Sequence, residues 1–169
     1  GDAAQNSGGT VLDLTGLDRI ISIDAERLLV RVQCGVTYAA LLTELTARNL
    51  MLPVVPGTRY VTIGGAIASD VHGKNHPRDG SIARHVVALR VCTPAEGCRE
   101  ITPEADRELF LATLGGMGLL GVIVEATLRV ERIGSPWWCV DTDRTDSLER
   151  TLALMGDDHA HRYSVAWLD

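Results

Sequence analysis

Apolar and polar residues alternate along 19–24 and again along 28–34, a period of two that predicts a pair of strands, and the three residues between them suit a hairpin. The period then lengthens. Thr37 is placed to cap a helix whose apolar positions Leu41, Leu42 and Leu45 share one face, and the pattern fades near Asn49. Residues 50–55 are an apolar run closed by Pro56-Gly57, and 10–14 read as a short strand after a polar, glycine-rich loop over 1–9. Residues 75–81 read as a loop, and 86–93 with 98–102 as a second hairpin. Thr102-Pro103-Glu104 combines a cap, proline at the first helical position and an early acid, so it predicts a helix start. That helix carries Leu109, Phe110 and Leu114 and stops at Gly115-Gly116. A long strand over 121–133, a strand over 136–140, an amphipathic helix over 146–155 and a last strand over 162–168 complete the reading. Strands in hairpins mixed with a few helices predict an α+β fold. The composition shifts near Gly134-Ser135-Pro136, beyond which all three tryptophans lie (Trp137, Trp138, Trp167), and this marks a lobe boundary with the tryptophans as core or interface residues.

Composition narrows the partners. The 169 residues are 46% hydrophobic and 22% charged, which suits a globular chain, and with aromatics at 4% the core must come from Val, Leu, Ile and Ala. Sixteen Lys and Arg against 22 Asp and Glu give −6, and the absence of a basic cluster argues against nucleic acid as a partner. No apolar run is long enough to span a bilayer. Cys34, Cys92, Cys98 and Cys139 form no C-x-x-C pair, so a zinc site is not expected. Cys92 and Cys98 flank a turn and would face each other across a hairpin, yet the simpler reading is of buried or half-buried free thiols.

The candidate chemistry is concentrated in 56–75. Gly64-Gly65 sits between the strand-like Val61-Thr62-Ile63 and the helix-friendly Ala66-Ile67-Ala68. Glycine admits a ligand close to the backbone, free N–H groups at a helix start attract phosphate, and Thr62 and Ser69 add hydroxyls. A plain tight turn is the alternative. His72-Gly73-Lys74-Asn75 follows: an imidazole that takes a proton, a glycine that gives access, an ammonium that binds an anion and an amide that fixes orientation. A structural histidine beside a solvated lysine is the alternative. Gly116-Met117-Gly118-Leu119-Leu120-Gly121 spells G-x-G-x-x-G, with Asp141 at about the distance of a Rossmann acid, but a helix precedes it and a strand follows, the reverse of what that fingerprint requires. His159 and His161 flank a turn without a carboxylate or thiol to complete a metal set and read as surface residues. Neither a G-x-S-x-G elbow nor a Walker A sequence is present.

The stretch Val61-Thr62-Ile63-Gly64-Gly65-Ala66-Ile67-Ala68-Ser69-Asp70-Val71-His72-Gly73 resembles the FAD-binding core of the vanillyl-alcohol-oxidase-like flavoproteins, and Gly115 to Ile123 resembles their second glycine segment. Four further segments are similar to one branch of that family, the flavin subunits of a cell-wall epimerase. They are Gly1-Asp2-Ala3-Ala4-Gln5-Asn6, Pro56-Gly57-Thr58-Arg59, His72-Gly73-Lys74-Asn75 and Ala166-Trp167-Leu168-Asp169. The resemblance implies a two-lobed FAD-binding domain of the PCMH type over 1–134 and the start of a substrate domain over 135–169. It also implies a longer protein, with a glycine-rich turn before Gly1 and a substrate sheet after Asp169. Non-covalent FAD would be lined by Gly1, Asp2, Gly57, Thr58, Thr62, Gly64, Gly65, Ser69 and His72, and touched through backbone by Gly118, Gly121 and Ile123. His72 and Lys74 would be the catalytic pair, with Gly73, Asn75 and Trp167 bordering the sugar. Ser69 and Met117 stand where a relative of that branch has cysteine and asparagine.

The implied reaction is FAD-dependent oxidation of the 2-hydroxyl of a polyprenylphosphoryl ribose to the 2-keto sugar, a step toward cell-wall arabinan precursors. Its implied partners are the lipid-phosphate sugar and an NADH-dependent reductase subunit, with peripheral membrane association and a cell-envelope location. An alditol or aldonolactone oxidase of the same fold is the nearest alternative, and a non-catalytic nucleotide-binding module is a second.

Overall fold

A computed structural model of the chain describes residues 6–157 and 160–168. The expected flavin contacts Gly1 and Asp2, and His159, lie outside the described residues.

The first hairpin forms as the alternation predicts: β1 (Ile20–Asp24) pairs antiparallel with β2 (Leu29–Gln33), and Leu28 takes the left-handed conformation that closes the turn (φ 56°). Helix α1 (Tyr38–Thr46) follows, with the Thr37 hydroxyl accepting from the Ala40 N–H at 3.2 Å. Strand β3 covers only Leu50–Met51, followed by α2 (Ile63–Ala68) and α3 (His76–Asp79). The expected loop over 75–81 thus holds one helical turn, with Pro77 near its start and Gly80 (φ 70°) at its end. A 3-10 turn over Ile82–His85 leads into β4 (Val86–Thr93), which pairs with β5 (Gly97–Ile101). Then come α4 (Arg107–Thr113), β6 (Val122–Arg129), β7 (Glu131–Arg132) and α5 (Leu148–Asp157).

One antiparallel sheet orders its strands β1-β2-β6-β4-β5, and β3 pairs with β7 in a second. Val30, Val32, Leu89, Val91, Ala126 and Leu128 of the central strands form a single core with Leu41 and Leu45 of α1 and Ile63 and Ile67 of α2. Antiparallel strands with helices against them make the fold α+β, as expected.

Four expected strands and one helix boundary come out differently. Residues 10–14 form no strand; Val11 and Leu12 are exposed, and the chain instead seats the Leu14 and Leu17 carbonyls against Gly35. The strand over 121–133 is two strands, because the chain changes partners at Val130, leaving β2 and β4 for β3. Residues 136–140 and 162–168 are irregular, since a strand requires a neighbour and the described residues supply none beside them. Helix α4 begins later than Thr102. The Thr102 hydroxyl and carbonyl close a single turn, through the N–H groups of Ala105 (3.2 Å) and Asp106 (3.0 Å), and the helix restarts after Asp106.

Cys92 and Cys98 face each other in the β4–β5 register and form a disulfide, which corrects the free-thiol reading for that pair. Cys34 is buried and free; burial, then the charge of Glu125, pushes its thiol up to about 12, so it is a neutral packing group. Cys139 is free and exposed. The tryptophans are not core residues, since Trp137, Trp138 and Trp167 are all exposed.

Candidate functional site

Residues 34–37, between β2 and α1, form the floor on which 59–65 is laid. Tyr38 and Ala39 donate their N–H groups to the carbonyls of Val61 (3.0 Å) and Arg59 (2.8 Å), and Thr37 bridges Thr62. Thr62 then caps α2, its hydroxyl oxygen accepting from the Gly65 N–H at 3.2 Å. The Ile63 N–H donates to Val36 O and the Gly64 N–H to Cys34 O, both at 2.8 Å. The expected cradle of free N–H groups at this helix start is therefore not what the fold provides. Those donors fasten α2 to the floor, and any anion must be held by other atoms.

The two glycines of the pair have different work. A side chain at Gly64 would meet Cys34 Cβ at 2.9 Å and Cys34 O at 3.0 Å, so this glycine exists for close packing. Gly65 is exposed, and a Cβ there would meet only the Thr62 hydroxyl oxygen, at 3.2 Å. Ser69, one turn further along, is exposed on the same face. The second glycine segment docks beside it: Gly115 N–H donates to Ile67 O (3.0 Å) and Met117 N–H to Ala68 O (2.8 Å). Gly118 (φ 76°) has open space where a Cβ would stand, and so does Gly57 in the exposed loop that carries Thr58. Helix α4 precedes this segment and β6 follows it, so the Rossmann reading fails on geometry as well as on order. Gly121 (φ 145°) packs on β4, where a Cβ would come within 2.7 Å of Val91, and the Ile123 side chain is in the core. Neither residue therefore has a side chain free to meet a ligand.

Exposed glycines at Gly65 and Gly118, joined through Ala68 and Met117, leave room for the pyrophosphate of FAD to approach closely, with Ser69 between and Gly57-Thr58 in the loop before α2. A Cβ at Gly57 or Gly118 would meet open space, and the hydroxyls of Ser69, Thr58 and Thr62 each retain a proton to donate to an anion there.

From Ser69 the chain turns sharply. Asp70 holds a left-handed conformation (φ 44°), and its carboxylate accepts from the Ala83 N–H at 3.0 Å. Val71 O accepts from Ile82 N–H (2.9 Å), and His72 bridges Ser81. These contacts set the exposed His72, whose ring lies 5.1 Å from that of His76 at 59°. Gly73 is buried, and a Cβ would meet Val55 O at 2.8 Å, so it serves close packing rather than access. Asn75 is fully buried; its amide donates to Pro53 O (2.7 Å) and Asp79 (2.6 Å), which makes it a tie beneath the segment rather than an exposed orienting group. Lys74 is exposed and lies 5.8 Å from the Trp167 ring, while its carbonyl accepts from the Ser164 N–H at 3.2 Å.

A residue with no signature in the sequence holds this last contact in place. Arg162 donates to Asp79 through Nε (2.7 Å) and Nη2 (3.0 Å), and to Glu131 through Nη1 (2.6 Å) and Nη2 (2.8 Å). The nearer partner is 31 residues away and the farther 83, so no local pattern announces the cluster. The hydrogen bonds from Arg162 hold the Asp79 carboxyl below the usual carboxylate range, against its desolvation, with Asn75 adding a further bond. The sign follows. A carboxyl whose folded pKa is depressed contributes stability that is complete above its unfolded value of about 3.9 and is lost as pH falls through the folded one. The melting temperature of the full-length protein is therefore expected to exceed that of Asp79→Asn at pH 7, and the gap to close as pH falls below about 4. A gap constant from pH 7 to 2.5 is the contrary result.

Residues 1–101 match the family model described as an FAD binding domain. Across its full length the chain is 43% identical to decaprenylphosphoryl-beta-D-ribose oxidase of Mycolicibacterium smegmatis (strain ATCC 700084 / mc(2)155), covering 37% of that protein. Over 72% of its length it is 34% identical to the mitochondrial L-galactono-1,4-lactone dehydrogenase 2 of Oryza sativa subsp. japonica, covering 21% of it. Among solved structures, alkyldihydroxyacetonephosphate synthase superposes with a TM-score of 0.61 at 25% identity, over 69% of this chain and 23% of the other. The chain thus spans well under half the length of each.

Proposed function

We propose, for a chain that belongs to the FAD binding domain family and has the fold of a PCMH-type FAD-binding domain, that the whole protein oxidises the 2-hydroxyl of a polyprenylphosphoryl ribose to a ketone. The match of the whole chain to 37% of a decaprenylphosphoryl-beta-D-ribose oxidase carries the reading. It is supported by His72 and Lys74 standing at the end of the glycine-lined face, with Trp167 brought over Lys74. FAD, when bound, supplies the two-electron oxidant that takes the hydride from the carbinol carbon. The chain's own residues do the rest. Gly57, Thr58, Gly65, Ser69 and Gly118 hold the dinucleotide. His72 orients the sugar hydroxyl and receives its proton, and Lys74 holds a phosphate or sugar oxygen beside Trp167. The cofactor is non-covalent. The lipid tail of the substrate would bring the reaction to a membrane face of the cell envelope, reached peripherally; no helix of the described residues is long and apolar enough to cross a membrane. The partner implied is a reductase that returns the ketone to an alcohol with NADH. Residues 1–134 serve the cofactor and 135–169 open the substrate lobe.

The full-length protein is expected to purify yellow or to take up FAD on reconstitution, to release it on denaturation, and to lose flavin absorbance anaerobically with polyprenylphosphoryl ribose but not with free alditols or aldonolactones. A protein reduced by a lactone alone belongs with the lactone oxidases, and one that takes up no flavin overturns the reading.

A further inference from the structure

The segment 160–168 has no regular structure, yet it is held at three points. Arg162 forks between Asp79, at the end of α3, and Glu131, in β7. The Ser164 N–H donates to Lys74 O at 3.2 Å. Beside Arg162, whose guanidinium carbon lies 5.4 Å from the Tyr163 ring, that ring meets Trp138 edge-on at 4.9 Å. Trp167 is otherwise 80% exposed, and no ladder fixes it. What brings it within 5.8 Å of Lys74 Nζ is the anchoring of Arg162, Tyr163 and Ser164 just before it.

We propose that Arg162 is a positioning residue for the sugar side of the site. By bridging Asp79 and Glu131 it holds 160–168 across 72–75 and sets Trp167 against Lys74, so that an anionic sugar meets the two as one prearranged wall. The geometry supports this role in addition to the pH-dependent stability that the Asp79 carboxyl contributes. The fork is part-exposed, with side-chain exposures of 34% for Arg162, 21% for Asp79 and 27% for Glu131, and it lies outside the apolar core. It is bidentate on both sides, a geometry that arginine supplies and lysine does not. Its Asp79 partner also takes a hydrogen bond from buried Asn75, so the fork is continuous with the backbone just after Lys74. An arm fixed in advance lowers the ordering cost of binding, and that advantage is read in substrate affinity rather than in the chemical step.

The inference rests on the oxidase reading, so its test carries a readout that needs no substrate. In the full-length, FAD-loaded protein, Arg162→Gln is expected to speed amide hydrogen exchange across 160–168 about tenfold while leaving the core strands β2, β4 and β6 protected. In anaerobic flavin reduction it is expected to raise the KM for polyprenylphosphoryl ribose about tenfold with kcat within about twofold. Arg162→Lys, which keeps the charge but satisfies one carboxylate at a time, is expected to fall between, and Glu131→Gln serves if Arg162→Gln does not fold. Unchanged exchange overturns the tie. Faster exchange with an unchanged KM, or a loss of kcat and FAD content as large as the rise in KM, overturns the positioning role. A wild type that the lipid sugar does not reduce, but in which Arg162→Gln still frees 160–168, counts against the oxidase reading and supports the tie.

Discussion

Replacing Gly64 by valine is expected to cost the full-length protein roughly 3–5 kcal/mol and its FAD, whereas alanine at Gly65 leaves stability within about 1 kcal/mol and weakens FAD alone. The two glycines are adjacent, and the contrast comes from what surrounds each. At Gly64 even a Cβ meets Cys34 Cβ at 2.9 Å and Cys34 O at 3.0 Å, and neither is the free end of a flexible side chain. To make room α2 must lift from the floor, which breaks the Ile63–Val36 and Gly64–Cys34 hydrogen bonds and unseats Ile63 and Ile67, both fully buried. Lifting α2 also releases the second glycine segment, which hangs from its end through Ile67 O and Ala68 O. At Gly65 a methyl meets only the Thr62 hydroxyl oxygen, and helix propensity favours it. The cost there falls on whatever approaches the exposed backbone. Denaturant melts of the apo forms, with FAD titrations by flavin fluorescence, separate the two. A Gly64→Val protein with wild-type stability and affinity would show that the close approach is not required.

The same pair shows how far the sequence could be read and where it stopped. The alternation over 19–34, the Thr37 cap and the Leu41–Leu45 spacing are local signals, and each produced its element because packing agreed with propensity. Gly64-Gly65 was legible as a place of close approach, but not what approaches. The order of the strands decides that, since β2 lies beside β6 and so leads the 34–37 connection under α2. Likewise Asn75 and Gly73, read as ligand-facing, proved to be buried ties, because 53–55 passes beneath them. The strands expected at 136–140 and 162–168 had suitable composition but no neighbour among the described residues, and pairing is not a property of one segment. Arg162 left no trace at all: a guanidinium at the start of an expected strand, just after a polar stretch, reads as surface until Asp79 and Glu131 are seen around it.

His72→Ala in the full-length protein is expected to keep FAD and slow flavin reduction by polyprenylphosphoryl ribose about 10²–10³-fold, while Lys74→Met lowers kcat/KM roughly ten- to a hundredfold, mainly through KM. FAD should survive both changes because the proposed cradle lies on other residues, at Gly57-Thr58, Gly65, Ser69 and Gly118, and because both side chains are exposed, outside the core cluster. The two losses differ in kind. His72 is set by the Ser81 bridge and the left-handed Asp70 turn, and under the proposed function its removal takes away a proton acceptor that matters most as the C–H bond breaks. Lys74, under the same proposal, gives a charge that holds an anionic substrate before and during reaction alike, so removing it weakens binding throughout. Stopped-flow reduction without oxygen resolves the two, since the limiting rate reports on His72 and the half-saturating concentration on Lys74. A non-catalytic binding module predicts something else: neither variant changes any rate, because the wild type shows no reduction to lose, and ligand affinity shifts only modestly. If His72→Ala reduces its flavin at the wild-type limiting rate, the proton leaves the sugar to another group, and His72 is confined to positioning.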